Sequence, residues 1–228
     1  MDYVFAPPAP ASVPVVGRRE CFPVHRIYCV GRNYAEHARE MGAAVERGTP
    51  MFFMKPADAL VIDGADVPYP PITQDLHHEV EMVLALGRGG RDLDAAAALD
   101  CVWGYGVGLD MTRRDLQAAA KAKGHPWDVA KGFDASAPIS ALRAVSDIGH
   151  PRAARLRLTV NGALRQEGDI ADMLFGVADI VRELSKLFTL MPGDLVYTGT
   201  PAGVAALQRG DAFVATLDGV GECRGRIV

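Results

Sequence analysis

Two glutamates one residue apart open an apolar stretch at His78-Glu79-Val80-Glu81. Side chains on a strand alternate between its faces, so this spacing predicts both carboxylates on one face and Val80, Met82, Leu84 and Leu86 on the other. A second apolar stretch, Val102-Trp103-Gly104-Tyr105-Gly106-Val107-Gly108-Leu109, predicts another strand and delivers Asp110 at its end. Gly104, Gly106 and Gly108 lie inside that strand without G-x-G-x-x-G spacing, so they mark places where backbone or ligand approaches closely.

Three converging carboxylates repel one another and resist burial, so a cluster of this kind holds a cation or shifts its pKa values upward. An all-oxygen donor set favours Mg²⁺, Mn²⁺ or Ca²⁺ over zinc, and three protein ligands leave positions for water and substrate. The same residues admit a plainer reading, in which Glu79 and Glu81 line the solvated face of an edge strand and Asp110 caps the next helix. His77 would share the face of the glutamates, which makes a site of two glutamates and one histidine a further alternative.

Other residues suggest chemistry. In Asn33-Tyr34-Ala35-Glu36-His37-Ala38-Arg39-Glu40-Met41-Gly42, Asn33 is expected to cap a short helix, with Glu36 reaching back, and Gly42 to end it. His37 and Glu40 then sit at i and i+3, where a carboxylate fixes the imidazole tautomer and raises its basicity for attack on water. Ordinary charges on a surface helix fit the same spacing. So short a helix is marginal in isolation and suits a lid that orders on binding. Lys131, set among small and aromatic residues, is either exposed or a donor to a developing oxyanion. Thr198-Gly199-Thr200-Pro201 follows a strand and either presents hydroxyls and amides to a carboxylate or turns the chain. His25, His125 and His150 have no evident partners.

The 228 residues are 49% hydrophobic and 23% charged, enough for one buried core. A net charge of −4 argues against nucleic acid as the main partner. Widely spaced Cys21, Cys29, Cys101 and Cys223 suggest neither a zinc cage nor a disulfide framework. No stretch suits a membrane span, and the first ten residues carry an early acid and repeated prolines where a signal peptide needs a basic start, so a cytoplasmic location is expected. Residues 1–24 are expected to form an extended proline-rich arm, with a single catalytic domain over 25–228 whose core begins near Phe22. Arg155 to Val160 alternates cleanly before Asn161-Gly162, a favoured hairpin turn. Strands outnumber short helices, which gives an α+β, β-rich fold. Thr112-Arg113-Arg114-Asp115 has the character of a capping box.

With these residues placed, the chain resembles the fumarylacetoacetate hydrolase family from about Ile27 to Asp211. The likeness is carried by Val30-Gly31-Arg32-Asn33-Tyr34 with His37 and Glu40, by His78-Glu79-Val80-Glu81, by Leu109-Asp110-Met111-Thr112-Arg113-Arg114-Asp115-Leu116-Gln117, by Ala130-Lys131, and by Thr198-Gly199-Thr200-Pro201. Without the large amino-terminal domain of the enzyme that names the family, it looks like the small acylpyruvate hydrolases. The segments Asp2-Tyr3-Val4-Phe5 and Phe52-Phe53-Met54-Lys55-Pro56 look like bacterial fumarylpyruvate hydrolases of gentisate catabolism.

The resemblance implies a mixed β-sandwich roll with short peripheral helices, a homodimer, and Mg²⁺ or Mn²⁺ on Glu79, Glu81 and Asp110. It implies hydrolysis of a carbon–carbon bond in a small 2,4-dioxo acid, with 3-fumarylpyruvate giving fumarate and pyruvate. His37, Glu40 and Lys131 are then catalytic, and Arg114, Gln117 and Thr200 are candidates for substrate binding. Oxaloacetate decarboxylation or tautomerisation of a 2-oxo acid on the same site are the rival activities, and a metal-stabilised binding protein is a rival of another class. Arg113 departs from the small residue expected before Arg-Asp, and Glu222-Cys223-Arg224-Gly225-Arg226 departs from the expected ending.

Overall fold

The computed structural model describes residues 2–42, 48–62 and 64–228. Two sheets carry it. The first runs, in spatial order, Met51–Lys55, Ile27–Gly31, Leu195–Tyr197, Val80–Leu86, Val102–Leu109, Ala137–Ile139 and Leu60–Ile62, with Arg143–Ala144 added beside Val102–Leu109. The second runs Ala163–Asp169, Arg155–Val160, Ala212–Leu217, Gly221–Ile227 and Asp66–Val67. Most neighbours are antiparallel, but Leu195–Tyr197 pairs parallel to Ile27–Gly31, Ala137–Ile139 parallel to Leu60–Ile62, and Gly221–Ile227 parallel to Asp66–Val67. The fold is thus mixed and sheet-rich with short helices, as expected.

The Val80–Leu86 strand is central, hydrogen-bonded to Leu195–Tyr197 on one side and to Val102–Leu109 on the other. Val80, Met82, Leu84 and Leu86 pack into the core between the sheets with Leu156, Leu158, Phe213 and Leu217. The opposite face is polar only at its start. Beyond Glu81 it carries Val83 and Ala85, which join Ile27, Leu195, Tyr197 and Ile139 in a second apolar cluster. An edge strand with a solvated acidic face is therefore ruled out: the two glutamates sit at one end of a strand covered on both sides.

Asn161 and Gly162 take φ of +51° and +78°, the left-handed pair that a tight hairpin demands, and join Arg155–Val160 to Ala163–Asp169. The amino-terminal segment differs from an extended arm. Ser12–Pro14 and Cys21–Pro23 pair into a small antiparallel ribbon, and Val13, Val15 and Phe22 are buried in the second cluster. Pro14 and Pro23 are tolerated because this ribbon is all edge. The exposed part is shorter and includes Tyr3, Val4 and Phe5. Among the described residues no helix is long and apolar enough to cross a membrane.

Candidate metal centre and active-site cleft

Sheet register brings the three acids together. Val80 lies opposite Leu109 and Glu81 opposite Gly108, and the Asp110 N–H donates to the Glu79 carbonyl at 2.9 Å. Gly108 is required beside Glu81, since a Cβ there would lie 2.6 Å from the Pro138 carbonyl and 2.9 Å from the Tyr197 ring. Oxygens of Glu79, Glu81 and Asp110 all lie within 4.8 Å of one another, and all three residues are buried.

Three cations face the three acids. Lys131 Nζ donates to Glu79 Oε2 at 2.8 Å, to Asp110 Oδ2 at 2.6 Å and to Thr112 Oγ1 at 2.7 Å, which uses all its protons. Arg114 donates to Glu79 Oε1 at 2.5 Å and to Gln117 Oε1 at 2.6 Å. Lys55 Nζ lies 2.8 Å from Asp110 Oδ1 and donates to the carbonyls of Met111 and Lys131. Among the described residues Glu81 has no such bonded cation; its Oε2 accepts the Gly199 N–H at 2.7 Å. That loop is locked, because Gly199 has φ of +97° and a Cβ there would lie 2.6 Å from the Asn33 Cβ.

The electrostatics follow. Burial pushes the Glu79 carboxyl up, but Lys131 and Arg114 outweigh it and hold the group well below the usual carboxylate range. Burial pushes the Glu81 carboxyl far up, the charges of Asp110 and Glu79 add to this, and the Gly199 N–H and the Lys131 charge oppose it too weakly. For Lys131 burial works against the charge, and Asp110 and Glu79 overcome it and raise the pKa. The donor set fits a hard divalent cation: it is all carboxylate, and Asp110 Oδ1 makes no directed hydrogen bond although Lys55 is beside it.

A cleft enclosing about 400 Å³ of empty space, its open mouth included, reaches this cluster. Glu79, Glu81, Lys131, Arg114, Gln117 and Thr200 line it together with His37. His37 is buried on the Ala35–Glu40 helix and its Nδ1 donates to Glu40 Oε2 at 3.2 Å, leaving Nε2 to act on water. Glu40 also accepts the Gly203 N–H at 3.2 Å, so the helix is tied to the loop after Thr200.

Several local expectations are corrected. Asn33 does not cap the helix; its side chain bonds Phe175 and the Thr198 carbonyl, clamping two distant loops, and Tyr34 stands at the cap. The Arg114–Lys123 helix has no side-chain cap, because Asp115 is taken by Thr73 and Gln74. His77 is not a ligand candidate: it lies on a separate ribbon against Thr112–Arg113 and bonds Asp75 at 2.9 Å. His25 bonds Asp194, and His150 bonds the Tyr105 hydroxyl at 2.6 Å. Arg113 lies over the Phe133 ring and donates to the Val129 carbonyl, away from the acids.

Two site residues escaped the sequence reading. Lys55 ends an apolar strand immediately before Pro56, and a lysine closing such a run was the available signal. Gln166 had none, since it stands among polar neighbours. It is fully buried and spends all its hydrogen-bonding capacity: its Oε1 meets His78 Nδ1 and the Val80 N–H, and its Nε2 donates to Thr200 Oγ1 and the Pro201 carbonyl. It thereby links the second sheet to both the glutamate strand and the Thr200 loop.

Residues 26–228 match the family model described as fumarylacetoacetate hydrolase C-terminal. The chain belongs to that family, and it is one of its enzymes, within a group of metal-dependent hydrolases and isomerases. Among solved structures it is similar to the fumarylpyruvate hydrolase from Pseudomonas aeruginosa in complex with Mn²⁺ and pyruvate, with 50% identity, a TM-score of 0.98, and coverage of 100% of this chain and 99% of that one. It is also 46% identical to the mitochondrial oxaloacetate tautomerase of Rattus norvegicus over 88% of this chain and 90% of the relative. The oxaloacetate tautomerase of Escherichia coli is 42% identical, over 87% and 90%.

Proposed function

We propose that this enzyme hydrolyses the carbon–carbon bond of an acylpyruvate, with 3-fumarylpyruvate as the substrate, giving fumarate and pyruvate in aromatic (gentisate) catabolism. The observation that carries the reading is the His37–Glu40 pair, whose His37 lines the same cleft as Glu79 and Glu81: a general base for water in the cleft of a cation site is what hydrolysis adds to simple enolisation. Charge supports the choice of acid. Three carboxylates against Lys55, Lys131 and Arg114 sum to zero, so a divalent ion would leave the site at 2+, matched to a dianionic substrate.

Glu79, Glu81 and Asp110 would hold Mg²⁺ or Mn²⁺, which when bound supplies Lewis acidity toward the oxygens of a 2-oxo acid. His37, its Nδ1 proton held by Glu40, takes a proton from water, and the water oxygen adds to the distal carbonyl carbon. Lys131 is assigned the oxyanion, to which it donates by giving up one of its three bonds to Glu79, Asp110 and Thr112. Collapse breaks the bond between that carbon and the methylene, the electron pair stays with the pyruvate fragment, and protonation there completes the products. Gln117, held by Arg114, and Thr200, held by Gln166, are proposed to orient the substrate. The enzyme is further proposed to act as a cytoplasmic homodimer.

The second reading is oxaloacetate tautomerisation, favoured by the names of relatives at 42–46% identity. It needs proton transfer but no attacking water. Oxaloacetate decarboxylation stands behind it on the same residues. The test follows the ultraviolet absorbance of the diketo-enol of fumarylpyruvate, with Mg²⁺ or Mn²⁺ and with a chelator, beside the enol-to-keto conversion of oxaloacetate. Rapid metal-dependent loss of fumarylpyruvate supports the hydrolase; stable fumarylpyruvate with fast oxaloacetate conversion rejects it in favour of the tautomerase.

A further inference from the structure

The cleft has a second concentration of charge, away from the acids. Arg114, Gln117 and Lys121 are spaced i, i+3 and i+7 on the Arg114–Lys123 helix and so share one face. That face begins at the triad, where Arg114 bonds Glu79, and Lys121 lies seven residues on, about 10 Å along the axis. Arg32 comes from another element. It follows the Ile27–Gly31 strand with φ of +58°, is exposed, and lines the same cleft as Lys121. Among the described residues neither side chain has an ion-pair or hydrogen-bond partner.

We propose that Lys121 and Arg32 form a subsite for the distal carboxylate of an elongated 2-oxo diacid, and that this subsite sets the length and charge of the substrate. This rests on the reading that the 2-oxo acid end lies at Glu79, Glu81 and Asp110. An extended seven-carbon diacid such as 3-fumarylpyruvate spans about 8 Å between its carboxyl carbons, comparable to the run from Arg114 to Lys121. Four-carbon oxaloacetate is about half that length and reaches one end only. Burial lowers the Lys121 pKa, and the charges of Arg32 and Arg114 lower it further, more than Glu79 restores, so like charges are gathered there. The carboxylate that does act on Lys121 is Glu79, which is already bonded to Arg114 and Lys131. Two cations in a cleft without a partner among the described residues attract an anion.

The experiment compares wild type, Lys121→Ala, Arg32→Ala and Lys121→Arg on fumarylpyruvate and on acetylpyruvate, which lacks the distal carboxylate. Alanine at either position is expected to lower the ratio of the two kcat/KM values roughly 10–100-fold, the worth of a hydrogen bond between charged groups, with Lys121→Arg retaining most of it. Equal losses on both substrates, or none, would overturn the subsite. Calorimetric binding to the Mn²⁺-loaded protein keeps the subsite separate from the hydrolase reading. Wild type is expected to bind 2-oxopimelate more tightly than 2-oxoheptanoate, and the alanine variants to erase the difference. Equal affinity in wild type rejects the subsite, whereas absent hydrolysis with intact diacid preference rejects the hydrolase alone.

Discussion

The inner and outer walls of the cleft are built on different principles. The inner wall, Glu79, Glu81 and Asp110 with Lys55 and Lys131, is buried, and each acid is placed by strand register or by a backbone N–H. The outer wall, His37 with Glu40 and then Arg32 and Lys121, stands on a six-residue helix, a strand end and a helix flank, and its charges are partly solvated. Position is set by strand register and buried ion pairs at the acids, where the proposed cation would be held, and by short or more exposed elements at His37, Arg32 and Lys121. Buried ion pairs tolerate little displacement, because a partner lost there leaves an uncompensated charge. Surface charges can shift and be screened.

This contrast breaks first at the acids. Glu81→Gln keeps size but removes a ligand charge, and Mn²⁺ affinity should fall by more than the ~10–100-fold that loss of an outer partner costs, with activity lost alongside; calorimetry and the absorbance assay read both. On the outer wall, His37→Ala should lower kcat for hydrolysis ~10²–10⁴-fold while Mn²⁺ affinity stays within about twofold. If affinity fell as steeply as kcat, the two walls would not be separable. Lys55→Met tests the inner wall as structure: with Asp110 robbed of an ion-pair partner and two carbonyls of their donor, unfolding free energy should drop about 3 kcal/mol, read by denaturant melts.

A smaller effect is expected with pH. Glu81 is raised above its ordinary value of 4.5, so the native metal-free protein keeps a proton that the unfolded chain gives up. Its stability therefore falls as pH rises from about 4.5 toward the raised value. Glu79 is lowered, so its contribution is already complete above 4.5 and does not change in this window. The increase in Tm on adding Mn²⁺ should accordingly be larger at pH 8 than at pH 5.5; a gain independent of pH would contradict the assigned burial cost. Smallest of all, Arg113→Ala should change stability by no more than ~0.5 kcal/mol and leave kcat/KM within about twofold, since this side chain rests on Phe133.

Much of the local structure was legible. The Arg155–Val160 strand, the Asn161-Gly162 turn and the strand leading to Asp110 follow from period and turn chemistry, because both act over a few residues. The pairing of His37 with Glu40 was legible for the same reason, being a contact at i and i+3. Caps were misread where a better long-range partner existed: Asn33 left its own helix for Phe175 and Thr198, and Asp115 for Thr73. The first strands were missed because prolines mask an edge ribbon whose support is the second apolar cluster.

The sequence by itself determined that Glu79 and Glu81 share a strand face and that an acid ends the neighbouring strand, since a side chain's direction follows from backbone period alone. Only the tertiary structure decided that this strand is central and that Asp110 stands beside Glu79. The same holds for Lys131, Lys55 and Gln166, which arrive from 52, 56 and 88 residues away to bond Glu79, Met111 and His78. Such meetings depend on which strands pair and in what register. That is settled by burying two apolar clusters at once and not by any local preference.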